Sequence, residues 1–254
     1  MRLDKYLADM HVGSRSEVKE LIRKGKVSVN GAVIKDPGLA VSAQDTIEAA
    51  GEQIGYQEHF YYMLNKPAGI LTATEDKKQQ TVLDLFPENL RKKLSPVGRL
   101  DKDTVGLLLI TDDGALAHRL LAPKSHVDKV YLAGTDLPVT EEDVKQFAKG
   151  LTLTDGTELM PAGLEIWTGD VKAEPFGKLI TKTSETNGHL SLVTIREGKF
   201  HQIKRMFEAC GKKVVYLKRL SMGSLTLDPA LPEGEWRELT GEEVLSLQRE
   251  RSAL

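Results

Sequence analysis

The stretch Gly98-Arg99-Leu100-Asp101-Lys102-Asp103-Thr104-Val105-Gly106, continuing into Leu107-Leu108-Leu109-Ile110-Thr111-Asp112-Asp113-Gly114, constrains the fold more than any other part of the chain. An apolar run that stops at an Asp-Gly turn reads as a buried strand, here Gly106 to Thr111. The glycine-bounded loop before it carries three ionisable residues, Arg99, Asp101 and Asp103. A carboxylate at the mouth of a buried strand is partly desolvated and aimed, as a catalytic group must be. The same two acids also suit a turn, in which their side chains accept from nearby backbone N–H groups. Locally, both readings stay open.

The rest of the chain narrows the choice. Its 254 residues suffice for one or two domains with a sizeable core. No apolar stretch approaches the length of a membrane span, and the charged, amphipathic start Met1-Arg2-Leu3-Asp4-Lys5-Tyr6-Leu7 lacks a signal-peptide core. The single cysteine, Cys210, excludes an internal disulfide and fits a reducing cytoplasm. Neither CxxC or HExxH ligand spacing nor a GxGxxG or GxxxxGK[ST] phosphate cradle occurs, so chemistry without a cofactor is expected.

A net charge of −2 conceals two basic clusters. Residues 1–35 carry eight Lys or Arg (Arg2, Lys5, Arg15, Lys19, Arg23, Lys24, Lys26, Lys35) against four acids, and residues 196–219 carry eight, Lys204 and Arg205 among them, against two. Either cluster alone could be a solvated helix face. Two on a near-neutral chain favour a nucleic-acid partner.

Leu3, Leu7 and Met10 follow helical spacing, and Ser14 or Ser16 suits the cap of a second helix containing Val18, Leu21 and Ile22, ended by Gly25. Val27 to Ile34 reads as a hairpin turning at Asn30-Gly31. Residues 51–59 are polar and glycine-bearing, as a linker would be. Beyond them strands are expected at Tyr61–Asn65, Lys129–Gly134 and Val214–Leu217, with extended backbone at Ile70–Thr72 and several short strands between Leu151 and Ile195. Helices are expected at Val82–Leu94, Leu116–Leu121, Glu141–Lys149 and Phe200–Cys210. This order predicts an α+β protein with a mixed, mainly antiparallel sheet flanked by helices.

Residues 1–50, through Arg2-Leu3-Asp4-Lys5-Tyr6-Leu7, Ser14-Arg15-Ser16, Ile22-Arg23-Lys24-Gly25-Lys26-Val27 and Val29-Asn30-Gly31, resemble the S4 RNA-binding module. Residues 60–254 carry Leu64-Asn65-Lys66-Pro67-Ala68-Gly69, the Gly-Arg-Leu-Asp loop with its Thr-x-Gly-Leu-Leu-Leu strand, Lys129-Val130-Tyr131, and Glu197-Gly198-Lys199-Phe200-His201-Gln202-Ile203-Lys204-Arg205-Met206-Phe207. Together with Leu231 to Thr240 these resemble pseudouridine synthases of the ribosomal small-subunit type, across essentially the whole chain. The resemblance implies an S4 domain joined to a pseudouridine synthase domain, needing neither metal nor cofactor. It implies a monomer that isomerises one uridine of 16S ribosomal RNA, of the uridine-516 type, in a small-subunit assembly intermediate. A 23S enzyme is the near alternative. Lys204-Arg205-Met206 in place of Arg-Arg-Met, and a chain ending about a helix after the closing strand, favour 16S. The alternative of another class is a non-catalytic S4 ribosome-assembly factor.

By position, the resemblance makes Asp101 the catalytic carboxylate, Tyr131 the aromatic packed on the base, and Lys204 the cation paired with Asp101, with Arg205 the second choice. Leu217 falls where an apolar residue meets the base, and Arg99 where an arginine holds the flipped strand. The S4-like contacts fall to Arg2, Arg15, Lys19, Arg23, Lys24 and Lys26. The chemistry suits these types. Breaking N1–C1′ and joining C5 to C1′ adds no atoms and changes no oxidation state. It needs an ionised carboxylate at C1′ or C2′, as nucleophile or base, and a stacking surface to offset the cost of unstacking the uracil. Asp103, Asp112 and Asp113 are expected to be turn or capping residues, and His201 to pack or touch RNA.

Overall fold

The computed structural model describes residues 1–167, 176, 179 and 189–250. The strands expected between residues 168 and 188 lie outside them. The chain divides into two compact units, Met1–Phe60 with Phe86–Lys93, and Tyr61–Leu85 with Leu94–Leu254.

The first unit contains α1 (Leu3–Asp9), α2 (Arg15–Arg23), β1 (Val27–Val29), β2 (Ala32–Val33), β3 (Ile47–Ala49), β4 (Glu52–Ile54) and the one-turn α3 (Glu88–Arg91). Ser14 starts α2 by a reciprocal capping box. Its hydroxyl accepts from Glu17 N, and the Glu17 carboxylate accepts from Ser14 N at 2.7 Å. Asn30 and Gly31, at φ 54° and 81°, make the tight turn between β1 and β2. Leu3 and Leu7 of α1, Val18 and Ile22 of α2, and Val27 and Ile47 of the sheet form one buried cluster.

The stretch 51–59 is not simply a linker. β4 pairs antiparallel with β3, Ile47 opposite Ile54, as the outer strand of the order β2-β1-β3-β4. Tyr6 donates its hydroxyl to Ile54 O at 3.1 Å. Glu52 and Gln53 are polar because an edge strand faces solvent.

The second unit contains β5 (Tyr61–Lys66), β6 (Ser95–Pro96), β7 (Val105–Thr111), α4 (Gly114–Leu121), β8 (Lys129–Thr135), α5 (Glu141–Lys149), β9 (Gly163–Ile166), β10 (Leu190–Ile195), α6 (Gln202–Ala209), β11 (Val214–Met222), β12 (Leu225–Thr226), β13 (Trp236–Glu238) and α7 (Gly241–Arg249). Its sheet runs β13-β5-β7-β11-β8-β10-β9, with β6 on β7 and β12 on β11. Every pair is antiparallel except β7 with β11, so the sheet is mixed and mainly antiparallel as expected. β7 is buried along its whole length.

Gly106 is required where β7 meets β11. Its φ is +97°, and a Cβ there would lie 2.3 Å from Arg219 O. Asp113 caps α4 by accepting from Leu116 N at 2.9 Å, the capping role expected of it.

Three local expectations change. The helix expected over Val82–Leu94 is a 3-10 turn at Val82–Leu85 followed by α3, because Pro87 has no N–H and disfavours helical backbone at Phe86. The helix expected from Phe200 starts at Gln202, since His201 is left-handed at φ 48°. At Ile70–Thr72 only Leu71 makes a bridge, to Thr81.

Candidate active site

The loop between Leu100 and Thr104 is held from below before any charged group faces outward. The Thr72 hydroxyl donates to Leu100 O at 2.8 Å and accepts from Leu100 N at 3.2 Å. Lys66, the last residue of β5, is fully buried. Its ammonium donates to Pro67 O at 3.0 Å, Lys102 O at 3.2 Å and Thr104 O at 3.0 Å. Burial pushes its pKa down to about 8, against the pull of Asp103 and Asp101. Sequence reasoning ends the strand at Asn65, leaves Lys66 to the Pro/Gly turn that follows, and misses this role. The available signal was a lysine closing an otherwise buried strand.

Asp101 opens from that loop into a cleft, together with Arg99, Tyr131, Lys204 and Leu217. The sequence had singled out all five. Lys204 Nζ lies 3.0 Å from Asp101 Oδ2 and 2.6 Å from Asp103 Oδ1. Burial opposes the lysine's charge, yet hydrogen bonds to Asp103 and Asp101 outweigh it and hold Lys204 above the ordinary lysine value. Asp103 is desolvated in part, but its bond to Lys204 holds it below the usual carboxylate range. Asp103 is therefore a partner of Lys204 as well as a loop residue. Arg205, about 100° further round α6, does not line the cleft and pairs with Asp155.

Tyr131 and Leu217 form the apolar wall. β8 and β11 are antiparallel with Arg219 opposite Tyr131 and Leu217 opposite Ala133. Alternation along β11 then puts Leu217 on the same face as Tyr131. Each is 7% exposed, enough to meet a ligand without collapsing the sheet.

The turn before α6 explains its motif. Glu197 accepts from Gln202 Nε2 at 2.9 Å and from Met160 N at 2.9 Å, while Gln202 Oε1 accepts from Lys199 N at 3.0 Å. This lock fixes where α6 begins and so where Lys204 points. His201 Nε2 comes within 3.6 Å of Asp101 Oδ1, closer to the acid than sequence reasoning placed it. Its ring stacks on Phe200 at 3.8 Å, and Phe200 is 75% exposed.

In the first unit Arg2, Arg15 and Lys19 surround the buried carboxylate of Asp4 at 3.0, 3.7 and 3.8 Å. The hydrogen bond from Arg2 leads in holding Asp4 below its ordinary pKa. Lys24 pairs with Glu20 one turn earlier on the chain, and Arg23 and Lys26 are exposed. Among the described residues no group of three His, Cys, Asp or Glu side chains gathers as a metal site would require, and no helix is long and apolar enough to cross a membrane.

Known proteins resemble the chain over nearly its whole length. The family described as RNA pseudouridylate synthase matches residues 60–209, and the S4 domain family matches residues 1–47. An uncharacterised RNA pseudouridine synthase of Bacillus subtilis is 47% identical over 247 residues, 96% of this chain and 97% of that one. The ribosomal small subunit pseudouridine synthase A of Escherichia coli K12 is 38% identical over 250 residues, 97% of this chain and 100% of that one. A crystal structure described as a pseudouridylate synthase superposes with a TM-score of 0.64 at 36% identity, covering 97% of this chain and 99% of that one. The chain belongs to the RNA pseudouridylate synthase family and joins an S4 domain to the family's synthase domain.

Proposed function

We propose that this pseudouridine synthase isomerises one uridine of 16S ribosomal RNA, the uridine-516 type, acting in the cytoplasm as a monomer on a small-subunit assembly intermediate. The observation that carries the chemistry is the Asp101–Lys204 contact at 3.0 Å beside the Tyr131 and Leu217 wall. The 16S target is supported by the relatives named for the small subunit, alike over nearly their whole length.

In this reading the S4 unit and the basic turn before α6 hold the RNA, and the target uridine leaves its stack to enter the cleft. Tyr131 stacks on the uracil and Leu217 excludes water behind it. Asp101, paired with Lys204 at 3.0 Å, acts at the sugar as the N1–C1′ bond breaks, at C1′ as nucleophile or at C2′ as base. The uracil turns, C5 joins C1′, the proton leaves C5, and N1 ends protonated. Arg99 holds the displaced strand at the cleft mouth, and exposed Phe200 offers a stacking surface for a neighbouring base.

Mapping pseudouridines in ribosomal RNA from cells with and without the gene tests the reading. Loss of one 16S pseudouridine is the expected result. Loss of a 23S site instead would overturn the choice of RNA.

A further inference from the structure

A second cavity adjoins the catalytic cleft, and Arg99, Tyr131, Gly198 and Lys199 line both. Its other charged walls are Lys129, Arg196, Arg219 and a single carboxylate, Glu197. Two of the cations come from inside the sheet. Arg219 is 2% exposed and Lys129 8%. Arg219 sits opposite Tyr131 across the β8–β11 ladder, and Lys129 is two residues from Tyr131 on β8. The row Leu217, Arg219, Tyr131, Lys129 thus shares one face of the sheet and leads from the base wall into the second cavity.

Among the described residues neither of these buried cations forms an ion pair. Arg219 Nε donates to Leu107 O at 2.7 Å, while its Nη2 is buried with no hydrogen-bond partner among the described residues. Lys129 Nζ donates to Val127 O at 2.9 Å. The nearby carboxylates are engaged elsewhere: Asp128 with Arg196 at 2.8 Å, and Glu197 with Lys199, Gln202 and Met160 N. Burying cations without a paired acid is costly, and burial, reinforced by Arg219 and only partly offset by Asp128, pushes Lys129 down to about 8. An anion bound between the two would repay that cost and supply the acceptor that Arg219 Nη2 lacks.

We propose that this cavity is a phosphate subsite on the RNA path, in which Arg219 Nη2 and Lys129 Nζ hold the phosphodiester next to the nucleotide whose base occupies the cleft. The proposal rests on the RNA-modifying reading above. Tetrahedral phosphate oxygens can meet a guanidinium and an ammonium at once. Continuity of the two cavities through Arg99 and Tyr131 suits an occupant that extends from a base to its backbone.

The test uses the full-length protein and a five-nucleotide RNA with one central uridine, made with its phosphates intact or with a neutral methylphosphonate on either side of that uridine. Affinity is measured by direct titration, so an absence of pseudouridine product would count against the catalytic reading and leave this comparison readable. Wild type is expected to lose roughly tenfold in affinity when one of the two linkages is neutralised. Lys129→Met should bind the intact RNA about as weakly and no longer distinguish it from the neutralised one. Discrimination of the linkages by Lys129→Met as sharp as by wild type would overturn the proposal. Should Lys129→Met fail to fold, Arg219→Lys, which keeps the charge and removes Nη2, is expected to show the same loss. Inorganic phosphate at millimolar concentration, read by the side-chain NMR signal of Lys129, separates the sources. A response to phosphate with no penalty for either neutral linkage would make this a free-phosphate site and overturn the RNA assignment.

Discussion

Lys204 Nζ stands 3.0 Å from Asp101 Oδ2, across a cleft whose two sides come from the loop before β7 and from the first turn of α6. The same ammonium reaches Asp103 at 2.6 Å, so one cation serves two carboxylates of one loop. Asp103 is 72% exposed and Asp101 25%, which leaves the less solvated acid facing the site.

Replacing Asp101 with Asn should abolish pseudouridine formation and leave RNA affinity within a few-fold, because the change removes the charge and keeps the shape. Pseudouridine assay and binding titration on the same preparation check it, and retained turnover would remove Asp101 from the catalytic role.

Lys204→Met should lose activity, while Lys204→Arg keeps part of it. Lys204 is held above its ordinary 10.5, so its contribution is present below about pH 10.5 and lost above. Asp103 is held below 3.8, so its contribution is present above that value and lost as pH falls. The stability difference between wild type and Lys204→Met should be level from about pH 4 to about pH 10 and shrink on either side. Urea denaturation across pH measures this.

Lys66→Met should cost about 3 kcal/mol or more, since three carbonyls lose their donor inside the protein. It should also lower kcat, because the Asp101 loop is no longer pinned. The folded-state pKa of Lys66 is lowered to about 8, so the unfolded chain binds more protons between that value and 10.5. The wild-type advantage over Lys66→Met should therefore widen as pH rises through this interval. Paired melts at pH 7 and pH 10 check the sign.

Gly106→Ala forces a side chain against Arg219 O at a backbone angle only glycine adopts freely. We expect a loss of about 3 kcal/mol or more, or no folded protein. Gly114→Ala, at the start of α4 with no atom within 4 Å of the added Cβ, is the control and should fold normally.

Arg23→Gln with Lys26→Gln should weaken RNA binding and flatten its dependence on salt, by about 0.7–0.9 in the log–log slope for each phosphate no longer neutralised. Both side chains are exposed and neither joins an ion pair among the described residues. An unchanged salt slope would show that this face of the S4 unit does not meet phosphate. Neutralisation is preferable to deleting residues 1–50, because β4 completes the same sheet beyond that point.

The sequence by itself determined the elements whose signals are local. The capping box at Ser14, the Asn30-Gly31 turn, the apolar β7 and the cap at Asp113 each act within a few residues, and each stands where its residues direct. Motif position also sufficed to nominate Asp101, Tyr131, Lys204, Arg99 and Leu217, which meet in one cleft. Tertiary structure decided what depends on partners distant in sequence. Lys66 reads as a turn lysine until three carbonyls surround it, and Lys218-Arg219 reads as the end of a strand because paired charges interrupt an apolar run. β11 nevertheless runs on to Met222, and Arg219 is buried with its Nε bonded to Leu107 O. Likewise Asp103 became a partner of Lys204, and Arg205 turned away to Asp155, only once α6 was set by the Glu197–Gln202 lock. Side-chain charge is a property of the residue, whereas its burial, its partners and its direction belong to the packing around it.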